Sequence, residues 1–139
     1  MDKVIFACVH NAGRSQMAAA FFNQLANRAR AEAVSAGTQP GERVHPVVVD
    51  VMNEVGINLS GQKPQRLTEG LASDAKLLVT MGCGDECPFV PGLTVDDWPL
   101  QDPKDQPLDV VRQIRDDIKS RVTALLDSRG WSRHPGGNS

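Results

Sequence analysis

Aromatic residues and long apolar runs are both scarce in this 139-residue chain, which has no tyrosine, two tryptophans and four phenylalanines. No apolar stretch approaches the roughly 20 residues of a membrane-spanning helix, and the run near the N-terminus is too short for a secretory signal. The formal net charge of -2 excludes a field strong enough to attract nucleic acid or an anionic membrane surface. We therefore expect a cytoplasmic protein without nucleic-acid or membrane partners, whose function depends on a local site.

Cysteine is limited to three residues, an odd number that argues against a disulfide framework and for thiols that stay reduced until they are used. A hydrophobic content of 40% with 23% charged residues is ordinary for a globular protein of one domain. We place that domain at residues 1–128. Residues 129–139 are rich in glycine, proline and serine and predict a flexible C-terminal tail, although Trp131 could pack on the domain.

The apolar pattern predicts strands and helices in alternation. Short β-branched and apolar runs are typical of strands buried on both faces, whereas apolar residues spaced three and four apart indicate helices. The strands are predicted at residues 3–8, 32–35 and 75–81, and the helices at residues 15–30, 45–55 and 108–126. This order predicts a doubly wound α/β fold of flavodoxin-like type, with parallel strands joined by right-handed crossovers. Ligands of such folds bind beyond the carboxyl ends of the strands.

Residues 8–15 (CVHNAGRS) form a Cys-x5-Arg-Ser pattern between the first strand and the first helix. Successive amides of such a loop, with the helix dipole, bind a tetrahedral oxyanion, and Arg14 supplies a planar fork for two of its oxygens. The same donors favour the thiolate of Cys8, to which Ser15 can donate its hydroxyl. This context favours a nucleophile over a small buried cysteine beside a solvated arginine. The oxyanion-binding residues are Val9, His10, Asn11, Ala12, Gly13 and Arg14, with the His10 side chain itself pointing to solvent.

A covalent intermediate on Cys8 requires an acid that protonates the leaving oxygen. The candidate is Asp102, since Pro103 disfavours helix at the preceding residue and holds the carboxylate in an extended segment before the last helix. The alternative is a helix-capping role, with Asp105 and Asp109 nearby. Next to a Cys-x5-Arg loop, the catalytic role is the stronger hypothesis.

Cys83 and Cys87 lie in a long segment, residues 82–101, that has no clear period and predicts a functional loop. Glycines beside them would let either sulfur approach Cys8 or the other loop cysteine. Cys83 could attack Cys8 once Cys8 carries a group, and Cys87 could then attack Cys83 and free Cys8. Inert thiols and a zinc site remain alternatives, although one Cys-x3-Cys pair is weak for zinc and the histidines, His10, His45 and His134, are scattered.

Over residues 3–126 the chain resembles the arsenate reductases of the low-molecular-weight tyrosine phosphatase superfamily. The matching stretches are residues 4–18 (VIFACVHNAGRSQMA), 35–38 (SAGT), 54–57 (EVGI), 79–88 (VTMGCGDECP), 98–103 (WPLQDP) and 112–118. The resemblance implies attack of Cys8 on arsenate to give a cysteinyl-arsenate intermediate. The other catalytic residues that it implies are Arg14, Ser15 and Asp102, with Cys83 and Cys87 recycling Cys8.

The resemblance further implies a doubly wound, four-stranded parallel sheet flanked by helices, of the low-molecular-weight phosphatase (flavodoxin-like) type. No cofactor is expected to be bound. The external reductant would be thioredoxin, which we favour, or glutathione or mycothiol with a glutaredoxin-like partner. Some relatives bind potassium through a glutamate soon after the loop, where this chain has Ala18, Ala19 and Ala20. We therefore predict no required metal.

Two other functions compete. A phosphotyrosine phosphatase would use the same loop and acid, but phosphatases of this fold resemble one another in having aromatic residues after the Asp-Pro pair, where this chain has Lys104 and Asp105. Weak phosphatase side activity is compatible with the pattern. A non-catalytic oxyanion or redox sensor would need the thiols, but it would not need an acid at Asp102.

Overall fold

The computed structural model describes residues 2–82 and 92–133 of the chain. Its strands are β1 (Asp2–Cys8), β2 (Ala31–Gly37), β3 (Leu77–Thr80) and β4 (Thr94–Asp97), and its helices are α1 (Arg14–Leu25), α2 (Pro46–Asn53), α3 (Glu69–Ser73) and α4 (Leu108–Arg129). The strands form one sheet of order β2-β1-β3-β4, and each neighbouring pair is parallel. The predicted doubly wound, four-stranded parallel sheet is confirmed.

Strand β1 lies at the centre of the sheet and is largely buried, since both of its faces are covered. On one face Phe6 packs against Phe22 of α1 and against Trp98, with ring centroids 5.9 and 5.5 Å apart. On the opposite face Ile5 joins a smaller cluster with Ala72 of α3. Burial of an apolar side chain of this size stabilises the fold by about 2–3 kcal/mol. The core therefore fixes β1, and with it the position of Cys8 at the carboxyl end of this strand.

Two local predictions need correction, and one helix was not predicted. The first helix ends at Leu25 rather than residue 30 because Ala26 is extended and forms an antiparallel bridge with Ser132. Strand β4 lies inside the segment that we predicted to be a loop; it is an edge strand whose four residues are exposed, so it has no burial pattern. Helix α3 was not predicted, although Thr68 caps it by accepting a hydrogen bond from the Leu71 amide at 3.0 Å.

The chain beyond α4 turns back onto the domain. Trp131 is 5% exposed and packs edge-on against Phe22, with ring centroids 5.9 Å apart. The Arg129 guanidinium lies over the Trp131 ring, 5.5 Å from its centroid. Residues up to 133 therefore belong to the folded domain, past the boundary that we placed at residue 128. The flexible tail stays a prediction for residues 134–139, which lie outside the described residues.

Within residues 2–82 and 92–133, no helix has the length and apolar character needed to cross a membrane.

Helices α2 and α4 are joined by an ion-pair cluster around Glu54. The Glu54 carboxylate accepts hydrogen bonds from Arg112 at 2.6 Å and from Arg115 at 2.8 Å. Arg115 is buried and also donates to the Val51 carbonyl oxygen at 2.9 Å. The hydrogen bond from Arg112, supported by the one from Arg115, lowers the pKa of Glu54 to about 2. The negative charge of Glu54 is therefore part of the contact that docks α4 onto α2.

We expect the Glu54→Gln variant to lose a pH-dependent part of this stability. Because the pKa of Glu54 is depressed in the folded chain, its contribution is complete above the ordinary glutamate pKa and is lost as the pH falls toward about 2. From about pH 5 to about pH 2, the free energy of unfolding of the native chain should fall more steeply than that of the variant. Urea unfolding measures both slopes, with Asp117→Asn, at an exposed pair with Arg121, as the control. Equal slopes would contradict the assignment.

Candidate active site

The loop between β1 and α1 holds its carbonyl oxygens away from a common concavity. Each carbonyl oxygen of residues 8–13 accepts a hydrogen bond, from the amides of Thr38, Gln39, Gly41, His45 and Met17 and from the side chain of Gln16. Within a planar trans peptide unit, the C=O of one residue and the N–H of the next point in opposite directions. The amides of residues 9–14 therefore point to the other side, and they have no hydrogen-bond partner among the described residues. Such convergent amides bind anions.

Two residues allow this backbone path. Asn11 has a φ of 52°, a left-handed conformation that asparagine tolerates better than most residues. Gly37, at the end of β2, lies directly against the loop: a Cβ there would be 2.6 Å from the Val9 carbonyl oxygen and 2.9 Å from the Asn11 amide nitrogen. The loop curvature thus depends on a close approach of β2 that only glycine permits.

A chain of hydrogen bonds runs from a backbone amide to the Cys8 sulfur. The Gln65 amide donates to Asn11 Oδ1 at 2.9 Å, so the Asn11 side-chain NH₂ faces the other way and donates to Ser15 Oγ at 2.7 Å. Ser15 Oγ is 2.9 Å from Cys8 Sγ. The Ser15 hydroxyl can therefore accept from Asn11 and still donate its own proton to the sulfur. Gln16 also donates to Asn11 Oδ1, at 3.2 Å. The network therefore holds the Ser15 hydroxyl in place against the Cys8 sulfur.

Arg14, the first residue of α1, is 8% exposed, and its guanidinium is held on two sides. Its Nη1 donates to the Leu100 carbonyl oxygen at 3.0 Å. Gly82 lies against the same guanidinium; a side chain at Gly82 would overlap Arg14, and Gly82 has a φ of +91°. The Arg14 fork is consequently fixed beside Cys8, with the chain before Cys83 packed against it.

Asp102 reaches the same cavity from the other end of the chain. Its Oδ2 is 3.7 Å from Arg14 Nη2, and its Oδ1 accepts the Lys104 amide at 3.0 Å. Pro103 lies close over Gly13, since a Cβ at Gly13 would be 2.8 Å from Pro103 Cγ. Asp102 does not cap α4, whose N-cap position is Pro107. The carboxylate is half-exposed, so it faces both the cavity and solvent.

A small cavity brings Cys8, Arg14 and Asp102 together and adds one residue that sequence reasoning missed. It is lined by Cys8, His10, Ala12, Gly13, Arg14, His45 and Asp102. The His10 side chain is exposed at the rim, as predicted, with Nδ1 3.0 Å from the Gln39 carbonyl oxygen. The amide of His45 donates to the Ala12 carbonyl oxygen at 2.9 Å. The sequence signal for His45 was only its position before Pro46 at the start of α2.

The surroundings of His45 shift its titration. Burial lowers the pKa of His45, against the opposing effect of the negative charge of Asp102. Lys104 and His10 lower this pKa further, whereas Asp105 raises it. His45 is therefore neutral near neutral pH.

Cys83 and Cys87 lie outside the described residues, and the predicted thiol relay, like the zinc alternative, stays a prediction. In residues 2–82 and 92–133, no group of three or more histidine, cysteine, aspartate or glutamate side chains is placed to hold a metal ion.

Comparison with known proteins gives consistent matches. A family model described as low molecular weight phosphotyrosine protein phosphatase matches residues 3–131. A glutaredoxin arsenate reductase of a Synechocystis species is 38% identical over 129 residues, which are 91% of this chain and 97% of that protein. The solved structure of a thioredoxin-dependent arsenate reductase from Corynebacterium glutamicum matches with 38% identity and a TM-score of 0.79, over 92% of this chain and 61% of that one. An arsenate reductase in a phosphate-binding state matches with 34% identity and a TM-score of 0.80, over 92% and 98% of the two chains.

Proposed function

Because the chain belongs to the low molecular weight phosphotyrosine protein phosphatase family, we propose that it reduces arsenate to arsenite on Cys8, with electrons supplied by an external thiol system. The observation that carries this proposal is the juxtaposition of a hydrogen-bonded cysteine, an inward-facing amide loop and a fixed arginine in one cavity. The arsenate reductases among its relatives supply the substrate, since the loop alone does not distinguish arsenate from phosphate.

Arsenate binds with its oxygens against the amides of residues 9–14 and the Arg14 guanidinium. The thiolate of Cys8, oriented by the Ser15 hydroxyl, attacks arsenic and forms a sulfur–arsenic bond. One arsenic–oxygen bond breaks, and Asp102 donates a proton so that the leaving oxygen departs as water. Arsenic is still pentavalent in this cysteinyl-arsenate intermediate. The contact of Arg14 with Asp102 supports the step, because it places the acid beside the anion site.

Reduction requires a second thiol. A thiolate attacks the Cys8 sulfur, a disulfide forms, and the electron pair of the sulfur–arsenic bond remains on arsenic, which leaves as trivalent arsenite. We assign this attack to Cys83 and the next to Cys87, which displaces Cys8 and forms a Cys83–Cys87 disulfide. The contact between Gly82 and Arg14 supports this assignment, since Cys83 directly follows Gly82 in the sequence.

The external reductant restores the Cys83–Cys87 pair. One relative is named thioredoxin-dependent and another a glutaredoxin arsenate reductase, so both systems are candidates, with thioredoxin favoured. The test is arsenite formation from arsenate by the purified chain, supplied separately with a thioredoxin system and with glutathione or mycothiol plus a glutaredoxin. Arsenite with one of them supports the function. Hydrolysis of an aryl phosphate with no arsenite from any system would overturn it in favour of a phosphatase.

Asp102→Asn distinguishes an enzyme from a sensor. We expect this variant to bind oxyanions but to form arsenite about 10²- to 10⁴-fold more slowly, because the leaving oxygen loses its proton donor. Asp105→Asn is the matched control: it removes the same charge three residues away, outside the residues that line the cavity. Asp105 has a φ of 61°, which asparagine also tolerates. Rates unchanged in both variants would remove Asp102 from the reaction.

A further inference from the structure

His45 occupies a place in the candidate active site that the mechanism above does not use. It lines the same small cavity as Cys8, Arg14 and Asp102. Its ring lies beside the loop, since a Cβ at Gly13 would be 3.6 Å from His45 Cδ2. The His45 backbone is fixed on both sides: its amide donates to Ala12, and its carbonyl oxygen accepts the amides of the first turn of α2. An ionisable ring is therefore held at the wall of the site.

Groups around His45 act on its protonation in opposite directions, with a net effect that favours the neutral ring. Burial, Lys104 and His10 oppose the protonated ring, whereas Asp102 and Asp105 favour it. Arg14 lines the same cavity, and Glu42 and Arg43 lie at an adjoining surface pocket that also contains His45. A tetrahedral dianion bound against the loop amides would bring two further negative charges to this wall. Nearby negative charge favours an imidazolium over a neutral imidazole.

We propose that His45 brings a proton into the oxyanion site: when a tetrahedral dianion binds, the His45 ring becomes protonated and donates a charged hydrogen bond to it. This inference rests on the proposed oxyanion site around Cys8, but it does not depend on the identity of the substrate or the reductant. It makes His45 an anion-binding residue, distinct from Asp102, which protonates the leaving oxygen.

The sign of the pH dependence follows from linkage. Since burial lowers the pKa of His45 in the free protein and a bound dianion would raise it, binding takes up a proton at pH values between these two pKa values. Over that range the affinity for the anion falls as the pH rises, by at most about tenfold per pH unit for one proton. Below the range both states are protonated and affinity is highest. Above it neither state is protonated and affinity is lowest.

Sulfate is the suitable probe, because it is tetrahedral and stays a dianion throughout the range from pH 5.5 to pH 8, unlike phosphate. The full chain should carry Cys8→Ser, which removes the titration of the thiol. Calorimetric titration with sulfate, in two buffers that differ in ionisation enthalpy, then measures both the affinity and the protons taken up. We expect net proton uptake, approaching one proton per sulfate, and weaker binding at higher pH.

Four further variants in this background assign the proton to a residue. His45→Gln should abolish proton uptake and leave a weaker, pH-independent affinity from the amides and Arg14. His45→Lys keeps a positive charge at every pH, so it should bind sulfate strongly without the pH dependence. His10→Gln, at the exposed rim, and Asp102→Asn should both retain proton uptake. Far-UV circular dichroism checks that each variant is folded, and the lysine variant tests the proposal even if the glutamine variant does not fold.

The outcomes separate this inference from the proposed function. Uptake that persists in both His45 variants, or that disappears only with Asp102→Asn, would assign the proton to another group and overturn the role of His45. Sulfate binding with no proton uptake at any pH would also overturn it, while leaving the oxyanion site intact. If sulfate does not bind to any variant, the oxyanion site fails, and the proposed reduction on Cys8 fails with it.

Discussion

Arsenate reduction by the Cys8→Ser variant is expected to fall by at least about 10⁵-fold, to the uncatalysed background, as for loss of a nucleophile from other covalent catalysts. Two physical reasons combine. A serine hydroxyl at this position stays protonated at neutral pH, so attack on arsenic is slow. An oxygen–arsenic ester also has no sulfur for a second thiol to attack, so the electron pair cannot be transferred to arsenic. Arsenite measured over time in the presence of the active reductant system gives the rate.

The same variant should keep its oxyanion site. The amides of residues 9–14 are oriented by the hydrogen bonds that the carbonyl oxygens of residues 8–13 accept, and Arg14 is held by Leu100 and Gly82. None of these contacts involves the Cys8 sulfur. Sulfate binding by Cys8→Ser with no arsenite formation is therefore the expected pair of results. Reduction at an appreciable rate by this variant would transfer the nucleophilic role to another thiol and refute the mechanism.

The sequence predicted the part of the site that is contiguous along the chain. Cys8, Arg14 and Ser15 lie in one segment between a buried strand and a helix, so spacing and burial pattern are sufficient to bring them together. Asp102 is distant in sequence and was placed through the Asp-Pro pair and the family resemblance. The structure accounts for its position through the contact of Pro103 with Gly13.

His45 could not be predicted in the same way, because its position depends on a tertiary hydrogen bond. The His45 amide meets the Ala12 carbonyl oxygen only after α2 has docked beside the loop. The Gln65 amide that orients Asn11 is a backbone group and leaves no signature in residue type. Gly37 is a similar case, because only the folded loop shows that a side chain at this position would clash with Val9 and Asn11. The candidate nucleophile Cys8 and its partner Ser15 are thus close in sequence, whereas Gln65 and Gly37, which orient Asn11 and shape the loop, are distant.

The same distinction explains the errors in the fold. Strands β1 and β3 are buried on both faces, so their apolar runs mark them clearly. Strand β4 pairs with β3 at the edge of the sheet and exposes all four residues, two of them aspartates. Its strand conformation comes from the ladder with β3 rather than from its own sequence, because tertiary context overrides weak intrinsic preference in strands.

Replacing Cys83 or Cys87 with serine should abolish sustained arsenate reduction while leaving distinguishable partial reactions. In the mechanism above, Cys83→Ser stops after the cysteinyl-arsenate intermediate forms, so no arsenite is released. Cys87→Ser allows one attack by Cys83, so each chain releases a single arsenite and stops as a Cys8–Cys83 disulfide. Rapid quench of pre-reduced chain with excess arsenate, without external reductant, measures arsenite per chain. The native chain should also release one equivalent, and the Cys8→Ser variant should release none. These two controls bracket the results for the two variants.

The order of attack follows from which variant gives the burst. A single equivalent from Cys83→Ser and none from Cys87→Ser would reverse the two roles and keep the relay. Full sustained turnover by both variants with a small external thiol would instead mean that this thiol attacks Cys8 directly. That result would contradict the internal relay without affecting the oxyanion site, because the electrons would still leave through the Cys8 sulfur. The fixed requirement is therefore a second thiolate in line with the sulfur–arsenic bond, and the burst experiment identifies which chain position supplies it.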